Sequence, residues 1–143
     1  MKINLVGHSE SGKTCLENKL TKLYPEHQFK EVKDNDEIEN SCDGVIVLVN
    51  LMDGPMPGTR LGIEKCKRAK VRIAAFCFTH LDEFDAHTQY SQYFKELVEI
   101  EARELASTYG FDDDAIPSTR IALVDNSEES IKNFVGNMLQ YLA

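Results

Sequence analysis

The chain has 143 residues and a formal net charge of −8, with 42% hydrophobic and 28% charged residues. This length suits a single domain over residues 1–143 with a full hydrophobic core. The acidic balance argues against non-specific or sequence-specific nucleic-acid binding and against an anionic membrane surface. The sequence shows no signal-peptide pattern and no apolar run that could span a bilayer, and its four widely spaced cysteines form no C-x-x-C pair, so a cytoplasmic location is expected.

The first seventeen residues contain the most informative motif of the chain. An apolar run over residues 3–6 predicts a buried strand, and leucines at helical spacing from Leu16 onward predict a helix. The residues between them match the phosphate-loop pattern G-x-x-x-x-G-K-[ST] at every fixed position. Because strand, loop and helix occur in the order that this motif needs, a chance glycine turn is the weaker interpretation. The matching residues are Gly7, His8, Ser9, Glu10, Ser11, Gly12, Lys13 and Thr14.

These residue types account for phosphate binding chemically. Gly7 and Gly12 permit backbone angles and close approaches that a Cβ would block, so consecutive N–H groups can surround phosphate oxygens. The helix that begins near Lys13 adds the positive end of its dipole. Lys13 would reach the β- and γ-phosphates, and the hydroxyl of Thr14 would ligate Mg²⁺.

The rest of the chain alternates between predicted strands and helices. After a first helix that ends near Tyr24-Pro25, strands are predicted at 27–32, 45–50, 71–78 and 119–124, and helices at 61–70, 90–109 and 127–142. This alternation predicts an α/β fold with a parallel sheet covered by helices on both faces. The phosphate loop and the loops at 51–60, 79–85 and 125–127 would then gather at the carboxyl ends of the strands, where such folds bind ligands.

Three further features have structural interpretations. The basic run at residues 65–70 is expected to be a solvated helix end, and Cys77, which lies in an apolar run, is expected in the core. An apolar stripe on the long helix predicts core packing without chemistry of its own. The members of that stripe are Phe94, Val98, Ala102, Leu105 and Tyr109.

Three segments resemble the GTP-binding (G) domain of bacterial elongation factor Tu and its translational GTPase relatives. The loop at residues 7–14 is similar to the family's G-H-x-x-x-G-K-T, and residues 53–60 (DGPMPGTR) are similar to its D-G-P-M-P-Q-T-R. Residues 97–105 (LVEIEAREL) resemble its L-V-E-M-E-V-R-E-L helix. The resemblance covers most of the chain outside residues 24–42. It implies a P-loop NTPase three-layer sandwich in the form of a reduced G domain, GTP or GDP with Mg²⁺ as ligands, and a protein partner, with the translation machinery as one candidate.

The family's base-recognition motif, N-K-x-D, corresponds to residues 79–82 (THLD). Asp82 is retained and would accept hydrogen bonds from the guanine N1–H and amino groups. Thr79 is a tolerable substitute for the asparagine, and the His80 imidazole could stack on the base where the family has a lysine stem. A strand-end turn with a capping aspartate is the alternative, but the position after a predicted strand favours a guanine site.

Several parts of the family pattern are missing. Its later S-A-L loop appears as residues 121–123 (IAL), so base contacts from Ala122 and Leu123 would be weaker or reshaped. Only residues 25–44 occupy the space of the family's switch region, no D-x-x-G turn occurs, and no histidine stands at the catalytic position. Asp34 or Asp36 could be a remnant Mg²⁺ carboxylate, although a solvated acidic loop is the simpler interpretation. The resemblance does not extend to the family's β-barrel domains.

These features support two hypotheses from different classes. The first is a guanine-nucleotide binding protein, a GTPase-like domain with slow or absent GTP hydrolysis. The second is a non-catalytic pseudo-GTPase that serves as a scaffold or interaction module. An ATP-using kinase is a third and weaker interpretation, because Asp82 and the D-G-P-M-P segment both favour the GTPase group. The sequence identifies no catalytic residue.

Overall fold

The computed structural model describes residues 1–87, 92–123 and 127–143. Its described strands, in chain order, are β1 (Lys2–Gly7), β2 (Gln28–Glu31), β3 (Gly44–Asn50), β4 (Ile73–Thr79) and β5 (Ser118–Arg120). The described helices are α1 (Lys13–Leu23), α2 (Pro57–Ala69), α3 (Leu81–Ala86), α4 (Gln92–Thr108) and α5 (Glu128–Leu142). The strands form one sheet in the order β2-β1-β3-β4-β5, and each described pairing is parallel.

Helices cover both faces of this sheet, and β3 shows why. Its side chains alternate: Val45, Val47 and Val49 pack with α2 and α4, whereas Ile46 and Leu48 pack with α1 and α5. A central parallel strand is buried on both faces and therefore has a continuous apolar sequence. The predicted α/β three-layer sandwich with a parallel sheet is confirmed. None of the helices in the described part of the chain is long and apolar enough to cross a membrane.

Two predicted loops were too long. The loop at 51–60 ends early, because α2 begins at Pro57, whose fixed φ suits the first helical position. Thr59 Oγ1 accepts the Met56 N–H at 3.1 Å and so caps this helix start. The loop at 79–85 contains the end of β4 and the short helix α3, which buries Phe84 against the core.

The predicted helices otherwise lie close to the observed ones, with differences at their ends. The last predicted strand, 119–124, is described as a strand only over Ser118–Arg120. Residues 90–91, 124 and 125–126, which the predictions included, lie outside the described residues.

Most of the predicted core is buried. Cys77 is fully buried, and this burial raises the pKa of its thiol to about 12. Phe94 is an exception, because it is 44% exposed and its assignment to the core stripe was wrong. The stripe instead begins at Val98 and centres on Ala102, which is fully buried.

Two helical glycines provide a matched test of this packing. A Cβ at Gly62 in α2 would lie 2.7 Å from Val6 Cβ on β1, whereas a Cβ at exposed Gly136 in α5 would meet no atom within 4 Å. We therefore expect Gly62→Ala to lower the free energy of unfolding by about 1–3 kcal/mol through overpacking. Gly136→Ala should raise it by about 0.5–1 kcal/mol through helix propensity. Urea unfolding of the two variants measures both changes, and equal effects would contradict this account of the α2–β1 contact.

Candidate functional site

The segment that joins β1 to α1 forms a loop at the carboxyl edge of the sheet, and backbone hydrogen bonds hold its conformation. The Ser11 N–H donates to the His8 carbonyl at 3.2 Å, and the Leu16 N–H donates to the Gly12 carbonyl at 3.0 Å as the helix begins. Gly12 has φ +96°, a left-handed conformation that a side chain would strain. Its position immediately before an eleven-residue helix directs the positive end of the helix dipole towards the loop.

Lys13 places its ammonium group against the start of this loop. Its Nζ donates to the Gly7 carbonyl at 2.6 Å and lies 3.4 Å from the His8 carbonyl. The side chain therefore folds back over its own loop. Ammonium group, helix dipole and loop N–H groups together favour a negatively charged ligand.

Ser11 gives a separate indication of what the loop can hold. Its side chain is 2% exposed, and its hydroxyl has no hydrogen-bond partner among the described residues. A Cβ at Gly7 would lie 2.7 Å from Ser11 Oγ, so a larger residue there would fill this space. A buried hydroxyl without an acceptor is costly in a finished fold. The loop thus has a donor to spare, which fits a phosphate oxygen.

Thr14 is bonded to a carboxylate that the sequence analysis missed. Thr14 Oγ1 donates to Glu31 Oε2 at 2.7 Å. Both side chains line a cavity of about 480 Å³ together with residues 9–13, Lys33 and Asp34. Hydroxyl and carboxylate oxygens are the ligands that Mg²⁺ prefers, so the residues at this cavity fit such an ion. One signal could have identified Glu31: it is the last residue of a strand that pairs in parallel with β1 and therefore ends beside the phosphate loop.

The two aspartates proposed near Mg²⁺ differ in position. Asp34 lines the cavity, whereas Asp36 lies away from it and its Oδ2 accepts the Lys33 N–H at 3.3 Å. Lys65 of α2 holds this segment in place: its Nζ donates to the carbonyls of Lys33 at 3.0 Å and Asp34 at 2.9 Å. Lys65 is only 4% exposed, so the expectation that the basic run is a solvated helix end was wrong at this residue.

The end of β4 is tied directly to the phosphate loop. Thr79 is fully buried, and its hydroxyl donates to the Ser11 carbonyl at 2.6 Å. A Cβ at Gly12 would lie 3.2 Å from Leu123 Cδ1, which places Leu123 beside the same loop. The structure thus brings Thr79 and Leu123, which are distant in sequence, to the residues expected to hold phosphates.

The two segments expected to contact a base lie side by side. The Leu81 N–H donates to the Ile121 carbonyl at 3.2 Å, which joins residues 79–82 to residues 121–123. His80 has φ +63° and its Nδ1 lies 3.0 Å from Thr79 Oγ1, whereas Asp82 is exposed in the first turn of α3. The 480 Å³ cavity lies along residues 9–15, and several predicted site residues do not line it: Gly7, His8, Thr79, His80, Asp82, Ala122 and Leu123.

The remaining loop residues have structural roles or lie at its rim. His8 Nδ1 accepts the Gly58 N–H at 3.0 Å, and a Cβ at Gly58 would lie 2.5 Å from His8 Cα. This contact joins the phosphate loop to the start of α2. Ser9 and Glu10 are exposed, and the Glu10 carbonyl accepts a hydrogen bond from Asn50 Nδ2 at 3.2 Å.

Comparison with known proteins shows a shared fold and shows no activity for this chain. No protein-family model matches the chain. Among solved structures, the fold is similar to that of translation elongation factor SelB from Methanococcus maripaludis in its apo form, with a TM-score of 0.72 and 15% sequence identity. The match covers 98% of this chain and 33% of the SelB chain. The chain therefore spans about a third of that protein's length, and the likeness shows a fold shared with part of a translation elongation factor.

Proposed function

We propose that this chain binds GTP or GDP with Mg²⁺ through residues 7–14 and acts as a reduced G domain. One observation carries the proposal: the hydroxyl of Thr79 donates to the carbonyl of Ser11, inside the phosphate loop. This bond sets the segment that would contact a base at a fixed position relative to Lys13. A site for inorganic phosphate alone would need no second segment of this kind.

The preference for guanine depends on Asp82. Asp82 is exposed in the first turn of α3 and follows Leu81, whose N–H donates to the Ile121 carbonyl. Its carboxylate can accept two hydrogen bonds. Guanine presents two donors on one edge, N1–H and the 2-amino group, whereas adenine has no N1–H and no 2-amino group. Thr79 and His80 precede Asp82 and fix the direction in which the chain enters α3. Ala122 and Leu123 would contribute apolar contacts at the base side.

In this chain, Mg²⁺ would be held by oxygen atoms beside the phosphates, with the Thr14 hydroxyl as one ligand. When bound, the ion neutralises phosphate charge and orients the phosphate chain. Lys13 adds a second positive charge from the opposite end of the loop.

A protein partner and a cytoplasmic location complete the proposal. The fold likeness to part of a translation elongation factor makes the translation machinery the first candidate partner. An interaction module without bound nucleotide is the alternative function, and one observation favours it. The side chains of Lys13 and Thr14 both donate hydrogen bonds to protein oxygens, so neither needs a nucleotide as a partner.

Lys13→Ala tests whether the loop binds nucleotide. Calorimetric titration of the wild-type protein with GDP and GTP in Mg²⁺ should give micromolar or tighter binding, and ATP should give none. Removal of the ammonium group should weaken guanine-nucleotide binding about 30- to 150-fold, since a charged hydrogen bond contributes about 2–3 kcal/mol.

Lys22→Ala is the matched control, because Lys22 is exposed near the far end of the same helix. It should bind as the wild type does. Absence of binding by any nucleotide would favour the interaction module, and equal binding of ATP and GTP would favour an ATP-using enzyme.

Asp82→Asn tests the base preference. Xanthine carries a carbonyl where guanine carries the 2-amino group, so an amide N–H at this position pairs with xanthine and a carboxylate does not. We expect GDP affinity to fall by about tenfold or more and xanthosine diphosphate affinity to rise, as measured by competition with a fluorescent guanine nucleotide. Glu83→Gln, at the exposed neighbouring position, should leave both affinities unchanged. A variant with unaltered base preference would exclude Asp82 from the site.

Hydrolysis should be slow in the isolated protein. The chain has no D-x-x-G turn, and His8, the histidine within the loop, is engaged by the Gly58 N–H. Without a group that positions water, we expect GTP turnover of about 10⁻⁴ s⁻¹ or less, the scale of an unassisted small GTPase. Single-turnover release of phosphate from radiolabelled GTP measures this rate. Turnover thousands of times faster without any partner would contradict the prediction.

A further inference from the structure

We propose that Glu31 is the protein carboxylate that, together with Thr14, holds the divalent cation of the bound nucleotide. The assignment rests on the proposed function and names a residue that the phosphate-loop motif does not contain. Glu31 Oε2 accepts the proton of Thr14 Oγ1 at 2.7 Å. Because Thr14 donates its only proton to Glu31, the lone pairs of its oxygen remain free for a cation. Among the described residues, no donor bonds to the other Glu31 oxygen, Oε1, so it too is free to bind one.

The sheet keeps Glu31 in this position. It pairs with Leu5 of β1 in parallel register, and the next residue, Val32, donates its N–H to the Leu5 carbonyl at 2.9 Å. The Glu31 N–H donates to Glu17 Oε2 of α1 at 3.2 Å. The carboxylate therefore stands on an edge strand that is paired with β1 and bonded once to α1, rather than on a free loop.

The segment after Glu31 is fixed as well. Buried Lys65 binds the carbonyls of Lys33 and Asp34, which follow on the cavity wall. A cation-binding carboxylate on such a support is already in position before a nucleotide binds.

The cavity lining carries one more negative than positive charge. Glu10, Glu31 and Asp34 line it together with Lys13 and Lys33, beside the loop that would hold phosphates. Carboxylates and phosphates repel each other at short range, and the repulsion is weakly screened in a partly buried site. A divalent cation between them converts this repulsion into attraction. Mg²⁺ in proteins commonly takes one or two carboxylates together with phosphate oxygens and water, which agrees with Thr14, Glu31 and a bound nucleotide.

Glu31→Gln tests the assignment in the complete chain. Glutamine has the same shape and can still accept the Thr14 hydroxyl proton, so the fold is preserved and the negative charge is lost. Electron paramagnetic resonance of Mn²⁺, titrated into the protein with saturating GDP, measures cation affinity without any turnover. We expect the variant to bind Mn²⁺ about 10- to 100-fold more weakly than the wild type. In EDTA its GDP affinity should equal or exceed that of the wild type, because the repulsion of phosphate has been removed.

Asp36→Asn is the matched control, because Asp36 is exposed, follows on the same segment and does not line the cavity. The asparagine carbonyl can still accept the Lys33 N–H, so the charge is the main change. Its Mn²⁺ affinity should stay within about threefold of the wild type, by the ordinary size of an exposed charge effect. Glu31→Asp retains the charge and serves as a second variant: the shorter carboxylate should weaken Mn²⁺ binding without strengthening GDP binding in EDTA.

The outcomes separate this assignment from the proposed function. Wild-type protein that binds GDP, with Mn²⁺ affinity unchanged by Glu31→Gln, would overturn the role of Glu31 and leave nucleotide binding intact. An equal loss in Asp36→Asn would also overturn it, because the effect would then belong to the general negative charge of this segment. Wild-type protein that binds no GDP with or without cation would overturn the proposed function, and this assignment with it.

Discussion

The hydrogen bond from Thr79 to the Ser11 carbonyl is the constraint on which the site depends. Both groups are buried, so breaking this bond would leave a carbonyl and a hydroxyl unpaired in the interior. The bond holds the phosphate loop against the end of β4. It thereby sets the distance between Lys13, which would meet phosphates, and Asp82, which would meet a base.

The opposite side of the loop is held with comparable rigidity. His8 receives the Gly58 N–H from α2, and Glu31 receives the Thr14 hydroxyl proton from α1. Lys65 binds two carbonyls of the segment between β2 and β3. A short segment held by a buried ammonium group has little conformational freedom.

Much of the fold could be predicted from local patterns, because buried parallel strands have continuous apolar sequences and the helices are amphipathic. The strand at 45–50 and the closing helix at 127–142 were located to within one residue. Helix α3 was missed because it has six residues and its packing depends on one side chain, Phe84. Phe94 and Lys65 were misassigned for another reason. Periodicity indicates which face of a helix a residue occupies, but the neighbouring elements decide whether that face is buried.

For the site, the sequence by itself determined the loop between β1 and α1, since glycines, lysine and threonine at fixed spacing between a strand and a helix leave few other structures open. That this loop binds phosphate stays a prediction. The sequence also placed residues 79–82 directly after a strand, at the ligand-binding edge of a parallel sheet. Residues 121–123 were predicted inside the last strand, and the structure ends that strand at Arg120. Only the tertiary structure decided that Glu31 lies against Thr14, that Asp34 and not Asp36 lines the cavity, and that Lys65 is buried. These contacts join residues that are 17 to 32 positions apart. Such pairs form because strand register and helix packing bring them together, and no local pattern in a single chain encodes that distance.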